Sequence, residues 1–194
     1  MPVMHNTRRQ AGRTLAVFTA LFATAAFRSA WPADARAVET QIKATFLCKF
    51  GNYVEWPVQQ VAAAELPFGI GVVAADDVMV AELTNAARGQ TVNGRPIVVR
   101  RIARGDPLTG LAIVFVARSH GGRLAETLAE VKGRPILTVT EADTGAVVGS
   151  MVNFVVVDDK VKFDIALPPA ELSSLKISSR LLAVARLVTG RASS

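Results

Sequence analysis

Beyond residue 35 the sequence holds one histidine, His120, and the whole chain of 194 residues holds one cysteine, Cys48. Zinc held by His and Cys takes about three or four protein ligands. These two residues fall short of that number and lie in segments without metal spacing, so no metal site is predicted. A Ser-His-Asp relay could run through His120, in the polar stretch 118–123, but no serine sits in a Gly-x-Ser-x-Gly elbow. An exported hydrolase built on His120 ranks last among the readings. Gly69, Gly71 and Ala74 have the spacing of a dinucleotide loop, yet both glycines fall inside an apolar run. Amides that cradle a pyrophosphate must lie between strand and helix. There the chain places Ala74-Ala75-Asp76-Asp77, whose carboxylates repel phosphate, and Asp76 is expected to cap a helix. Asp158-Asp159 could do acid–base work as a pair, but such a pair between two apolar runs reads as turn chemistry. No cofactor is predicted.

The positioning elements start after an export segment. Arg8, Arg9 and Arg13 precede the apolar run 15–27, and the small-residue site Ala33-Asp34-Ala35 follows. This is the pattern of a secretory signal, too short to span a bilayer, which takes ~20 apolar residues. Cleavage is expected near Ala35, leaving residues 36–194 as one domain outside the cytoplasm. The removed segment holds four arginines and one aspartate, so the formal charge falls from +6 to +3. The remaining basic residues form no run longer than Arg100-Arg101, and nucleic acid, which needs a clustered basic face, is not an expected partner.

Within Val38–Val54, Ile42, Phe46, Leu47, Phe50, Tyr53 and Val54 fall on one helical stripe, with Pro57 as the stop. Cys48 lies away from the stripe's centre and is expected toward solvent or a partner. It has no intrachain mate, so the disulfide open to it is an intermolecular one; a small buried residue is the plainer reading. Phe68–Val73, Ile97–Ile102, Leu111–Ala117 and Ile136–Thr140 read as strands, and the apolar runs suit a sheet covered on both faces. Helices are expected through Val78, Leu83 and Ala87, and through Leu124, Leu128 and Val131. Val152–Val157 and Val161–Leu167 form a hairpin around Asp158-Asp159-Lys160, and the alternation in the second strand predicts a wetter face carrying Lys162, Asp164 and Ala166. A closing helix carries Leu181, Leu182, Ala185 and Val188. Together these elements predict a three-layer α/β domain with a mainly parallel sheet ending in an antiparallel hairpin. Gly149 ahead of the hairpin marks a bulge or a backbone surface offered to a partner.

Three segments carry a family resemblance. Ile42–Pro57 (IKATFLCKFGNYVEWP), Gly149–Phe154 (GSMVNF) and Val161–Val184 (VKFDIALPPAELSSLKISSRLLAV) resemble, in order and spacing, motifs of the YfiR family of exported regulators. The sequence departs from those motifs at Cys48, where tyrosine is usual, at Ser150 and Ser174, where glycine is, and at Ala166, where asparagine is. The resemblance implies a periplasmic repressor that binds the periplasmic sensory domain of an inner-membrane diguanylate cyclase and holds its cyclic di-GMP synthesis down, with no catalysis of its own. A homodimer would suit a two-fold symmetric cyclase. Such a regulator needs an apolar patch rimmed by charge, which we place at Glu171, Leu172, Leu175, Ile177 and Arg180, where Pro168-Pro169 is expected to interrupt regular structure. Core packing competes for Leu172 and Leu175, and Trp56 and Phe154 read as core. The alternative is a periplasmic small-ligand binding protein with its pocket at the carboxyl ends of the parallel strands.

Overall fold

The computed structural model describes residues 33–57, 66–74, 77–142 and 149–190. Helix α1 (Ala33–Phe50) passes through a 3-10 turn into the short strand β1 (Val54–Glu55). There follow β2 (Phe68–Val73), α2 (Val78–Ala87), β3 (Thr91–Val92), β4 (Arg95–Arg101) and β5 (Leu111–Val116). A 3-10 stretch, Arg118–Arg123, leads into α3 (Leu124–Val131) and β6 (Leu137–Thr140). The chain ends with β7 (Val152–Val157), β8 (Lys160–Ala166), α4 (Leu167–Leu172), β9 (Lys176–Ile177), α5 (Ser179–Val184) and β10 (Leu187–Thr189). Among these residues no helix is long and apolar enough to cross a membrane. The expected cut at Ala35 falls in the first turn of α1, and Asp76 lies outside the described residues; Asp77 precedes α2 and pairs with Arg101.

Eight strands form one sheet in the order β10-β8-β7-β6-β5-β2-β4-β3. The run β4, β2, β5, β6, β7 is parallel, with Val72 facing Phe115 and Phe115 facing Val139. The crossover from β2 to β4 steps one way along the sheet and that from β5 to β6 the other. Right-handed connections then put α2 and α3 on opposite faces. Alternate side chains accordingly feed two cores. Ile113 and Phe115 join Leu47, Phe50, Leu83 and Phe154 under α1 and α2, whereas Val114 and Val116 join Ile102, Leu111, Val131 and Ile136 on the α3 side. That division is why β2 and β5 read as unbroken apolar runs, and it makes the expected three-layer α/β architecture the observed one.

Four aromatic rings knit α1 to the hairpin. Phe50 meets Phe163 edge-on at 5.3 Å, and Phe46 and Phe154 stand within 6.1 Å of each other. To bring these rings down onto β7 and β8 while its other flank meets α2, α1 sits rotated from the expected stripe. Lys43, Ala44 and Cys48 are buried, and Ile42 and Tyr53 are partly exposed. The helix also stops at Phe50, seven residues before Pro57, because Val54 leaves it to pair antiparallel with Ile177 of β9.

The β7–β8 hairpin turns through Asp158 and Asp159, at φ of 52° and 56°, the left-handed pair that a two-residue hairpin loop requires. A second hairpin, β3–β4, turns on Asn93-Gly94, at 50° and 78°. The closing helix is shorter than expected: α5 stops at Val184, Ala185 is extended, and Leu187–Thr189 instead lies parallel to β8. The driver is Arg186, which grips Asp164 through Nε at 2.8 Å and through Nη2, while its backbone N–H donates to the Phe163 carbonyl. Asp164 is thereby buried, at 5% exposure, contrary to the wet face expected for it.

Candidate functional site

The segment from α4 to α5 folds by local rules. Pro168 and Pro169 do not interrupt structure there; they occupy the first turn of α4, where backbone N–H groups have no helical partner to lose. The helix stops at a Schellman motif: the Leu175 N–H donates to the Ala170 carbonyl at 2.9 Å and the Ser174 N–H to Glu171 at 3.0 Å. Ser174 holds the left-handed position, φ 56°, that glycine fills at no steric cost. This motif drives the residue after it back onto the helix, and Leu175 is 2% exposed in the core beside Ala170. The chain then runs along β1 as β9, donates from the Ser178 N–H to the Tyr53 carbonyl, and starts α5 with the Ser178 hydroxyl accepting from the Leu181 N–H.

The five residues proposed for partner binding therefore divide. Glu171, Leu172 and Arg180 are exposed, Leu172 at 69%. Ile177 is half-buried and packs against the core from its place opposite Val54, and Leu175 belongs to the core outright. The exposed members are thus an acid and an apolar side chain on α4 and a base on α5, carried on elements held by backbone hydrogen bonds. Leu175 is removed from that set by the Schellman geometry.

Cys48 does not face solvent. It is 4% exposed, and burial pushes its thiol up to about 11, so it stays protonated and unreactive at neutral pH. An interchain disulfide there would require α1 to leave its seat. His120 sits on the 3-10 stretch with Nδ1 at 3.2 Å from the Ser119 carbonyl, a backbone contact. Among the described residues no three His, Cys, Asp or Glu side chains gather as metal ligands. Gly69 and Gly71 serve packing: a Cβ at Gly69 would stand 2.4 Å from the Gly110 carbonyl oxygen, and one at Gly71 would stand 2.7 Å from Leu111. Trp56 donates from Nε1 to the Gly51 carbonyl and meets Phe68 edge-on, and Phe154 is wholly buried.

At the carboxyl ends of β5 and β6, Lys43 is 2% exposed and bridges Glu39 and Glu141. Glu141 also takes the Arg118 backbone N–H at 3.4 Å. A buried ammonium is tolerable only when paired in this way. Hydropathy patterning does not single out Lys43, because a lysine on a helix is ordinarily a solvated one; it enters the sequence reading only within the Ile42–Pro57 segment.

The profile of the YfiR/HmsC-like family matches residues 40–186. The chain belongs to that family. No curated protein sequence matches it. The segments that carry the YfiR/HmsC-like pattern hold this fold together: Lys43 is the buried cation, Gly149 adopts a φ of 91°, and Asn153 anchors the chain after β6. Asn153 accepts the Ala142 N–H at 2.9 Å and the Thr140 hydroxyl at 2.8 Å. Ser150, in place of the usual glycine, buries its hydroxyl against Thr140 and the Val152 carbonyl. Gly149 therefore opens a turn into this network.

Proposed function

We propose that the chain is exported, loses residues 1–35, and works in the periplasm as a regulator. It binds the outward-facing sensory domain of an inner-membrane diguanylate cyclase and represses cyclic di-GMP synthesis. The observation that carries this reading is the YfiR/HmsC-like match across 40–186, which takes in the surface from Glu171 to Arg180. Repression by occupancy requires unequal affinity for two states of the cyclase, since a ligand that binds both equally shifts neither. An exposed apolar side chain with an acid beside it in the chain and a base on the following helix suits such discrimination. Leu172 supplies the anchor, and Glu171 and Arg180 select the partner's charge pattern. No step of this activity calls on His120 or Cys48. The competing small-ligand reading looks to the carboxyl ends of the parallel strands, and those of β5 and β6 carry the paired charges of Lys43, Glu141 and Arg118.

Co-purification from membranes with this chain as bait tests the proposal. Wild type should recover a diguanylate cyclase. Leu172→Asp and Arg180→Glu, both at exposed positions where folding is spared, should each weaken recovery by about tenfold or more. Equal recovery by all three proteins overturns the surface. Failure of the wild type to recover any cyclase, together with unchanged cyclic di-GMP on deletion, overturns the function.

A further inference from the structure

At the amino ends of β6 and β7, the opposite end of the sheet from Lys43, α3 and α4 stand apart and leave a groove of about 290 Å³. Its walls are Ala125, Leu128 and Ala129 of α3 on one side and Pro169 and Leu172 of α4 on the other; Thr138, Gly149 and Met151 make the floor. Gly149 contributes no side chain at a φ of 91°, and a Cβ there would stand 3.8 Å from Leu128, within the open space. Leu172 therefore has one flank on this groove and the rest in solvent.

Beside Thr138, whose hydroxyl is bonded to the Met151 N–H and the Gly149 carbonyl, two polar side chains break the apolar lining. Ser173 is a lining residue whose backbone N–H is satisfied by Ala170, and it brings a hydroxyl to the groove. Lys132, exposed at the end of α3, brings an ammonium to the same groove with no carboxylate paired to it among the described residues, and none of the lining residues is acidic. A concave, largely apolar site with few convergent polar groups is the usual form of a small-ligand site.

We propose that this groove binds a small amphipathic carboxylate. Its apolar body lies on Leu128, Ala129 and Leu172, and its anionic end takes the Ser173 hydroxyl and the Lys132 ammonium. At the ~30 Å³ that a water molecule occupies in the liquid, the volume admits a ligand of about ten non-hydrogen atoms. A medium-length acyl chain or a single aromatic ring with a carboxylate has that size. The charge argument favours an anion over a neutral or cationic body of equal size. The site stands whether or not the chain regulates a cyclase.

Calorimetric titration of the purified chain with octanoate, octanol and octylammonium tests it. Octanoate should bind saturably, and octylammonium at least about tenfold more weakly. Ala129→Phe fills the groove from an exposed helix position and should abolish octanoate binding while melting like wild type. Lys132→Glu, also at the surface, should cost octanoate about tenfold and leave octanol unchanged; Ser173→Ala should weaken octanoate by a smaller factor. No saturable octanoate binding overturns the proposal. So does octanoate binding that survives both Ala129→Phe and Lys132→Glu, because the ligand would then sit elsewhere.

Discussion

The α3 side of the sheet is built in two different ways. Over β2 and β5 it is hydrocarbon: Val114, Val116, Leu111 and Ile102 lie under Val131 and Ile136. Over β6, β7 and β8 it is polar yet still buried: Thr138, Thr140, Ser150, Asn153 and Asp164 are each at most 5% exposed. In the first half stability comes from apolar area and close packing, which any side chain of similar shape can supply. The second half is held by hydrogen bonds that satisfy one another, so each residue is specified by its partners and the loss of one orphans another. One continuous sheet thus carries a permissive half and an exacting half.

The comparison can be broken first at the apolar half. Leu111→Ala should destabilise the protein by about 3 kcal/mol, the usual cost of a buried leucine cavity, read as a lower urea midpoint with unchanged slope. Asn153→Leu keeps the branched shape but strands the Ala142 N–H and takes one of the Thr140 hydroxyl's partners, and should cost about 2 kcal/mol. Adding Thr140→Val to it should return part of that loss. A double-mutant cycle with zero coupling between positions 140 and 153 would show that the polar half behaves as the apolar half does.

The smallest effect concerns a titratable group on the α1 side. Asp164 is buried with a cation, and its hydrogen bonds in turn raise the Arg186 guanidinium above its ordinary value. Cys48 has no such partner, and burial alone lifts its thiol from the ordinary 9.0 to about 11. The unfolded chain therefore gives up the thiol proton first, and stability should fall as pH rises from about 9 to about 11, by roughly 1–2 kcal/mol. Subtracting the pH profile of Cys48→Ala from that of the wild type isolates this effect. A flat difference through that window means that the thiol reaches water.

What could be read from the chain follows the same division. FGIGVV and LAIVFV announce buried strands because both of their faces meet hydrocarbon, and α2 and α3 follow from apolar spacing. Asp164 was expected on a wet face, because alternation reports polarity and is blind to a partner 22 residues away. That same pairing hid β10: Ala185 and Val188 fit a helical repeat, and only Arg186 bound to Asp164 pulls them into extended structure. At the proposed site Glu171 and Arg180 were legible as surface. Leu172 and Leu175 were not separable by type, since a left-handed serine at 174, where glycine would have signalled the stop, decides which of them turns inward. The β3–β4 hairpin, by contrast, has its signal in the Asn93-Gly94 dipeptide alone, although it was not among the expected elements.

The sheet's outermost strands, β3 and β10, are two and three residues long, and Gly190 swings the backbone away at a φ of 82° directly after the second. β3 covers only Arg95 and Pro96 of β4, and β10 only Asp164–Ala166 of β8, so each rim sets a short strand before a longer one; β4 carries Arg100 and Arg101 on its uncovered length, the kind of charge with which natural sheets resist fibrous stacking. A second copy adding a strand to the β4 rim would bring its own charges against that arginine pair.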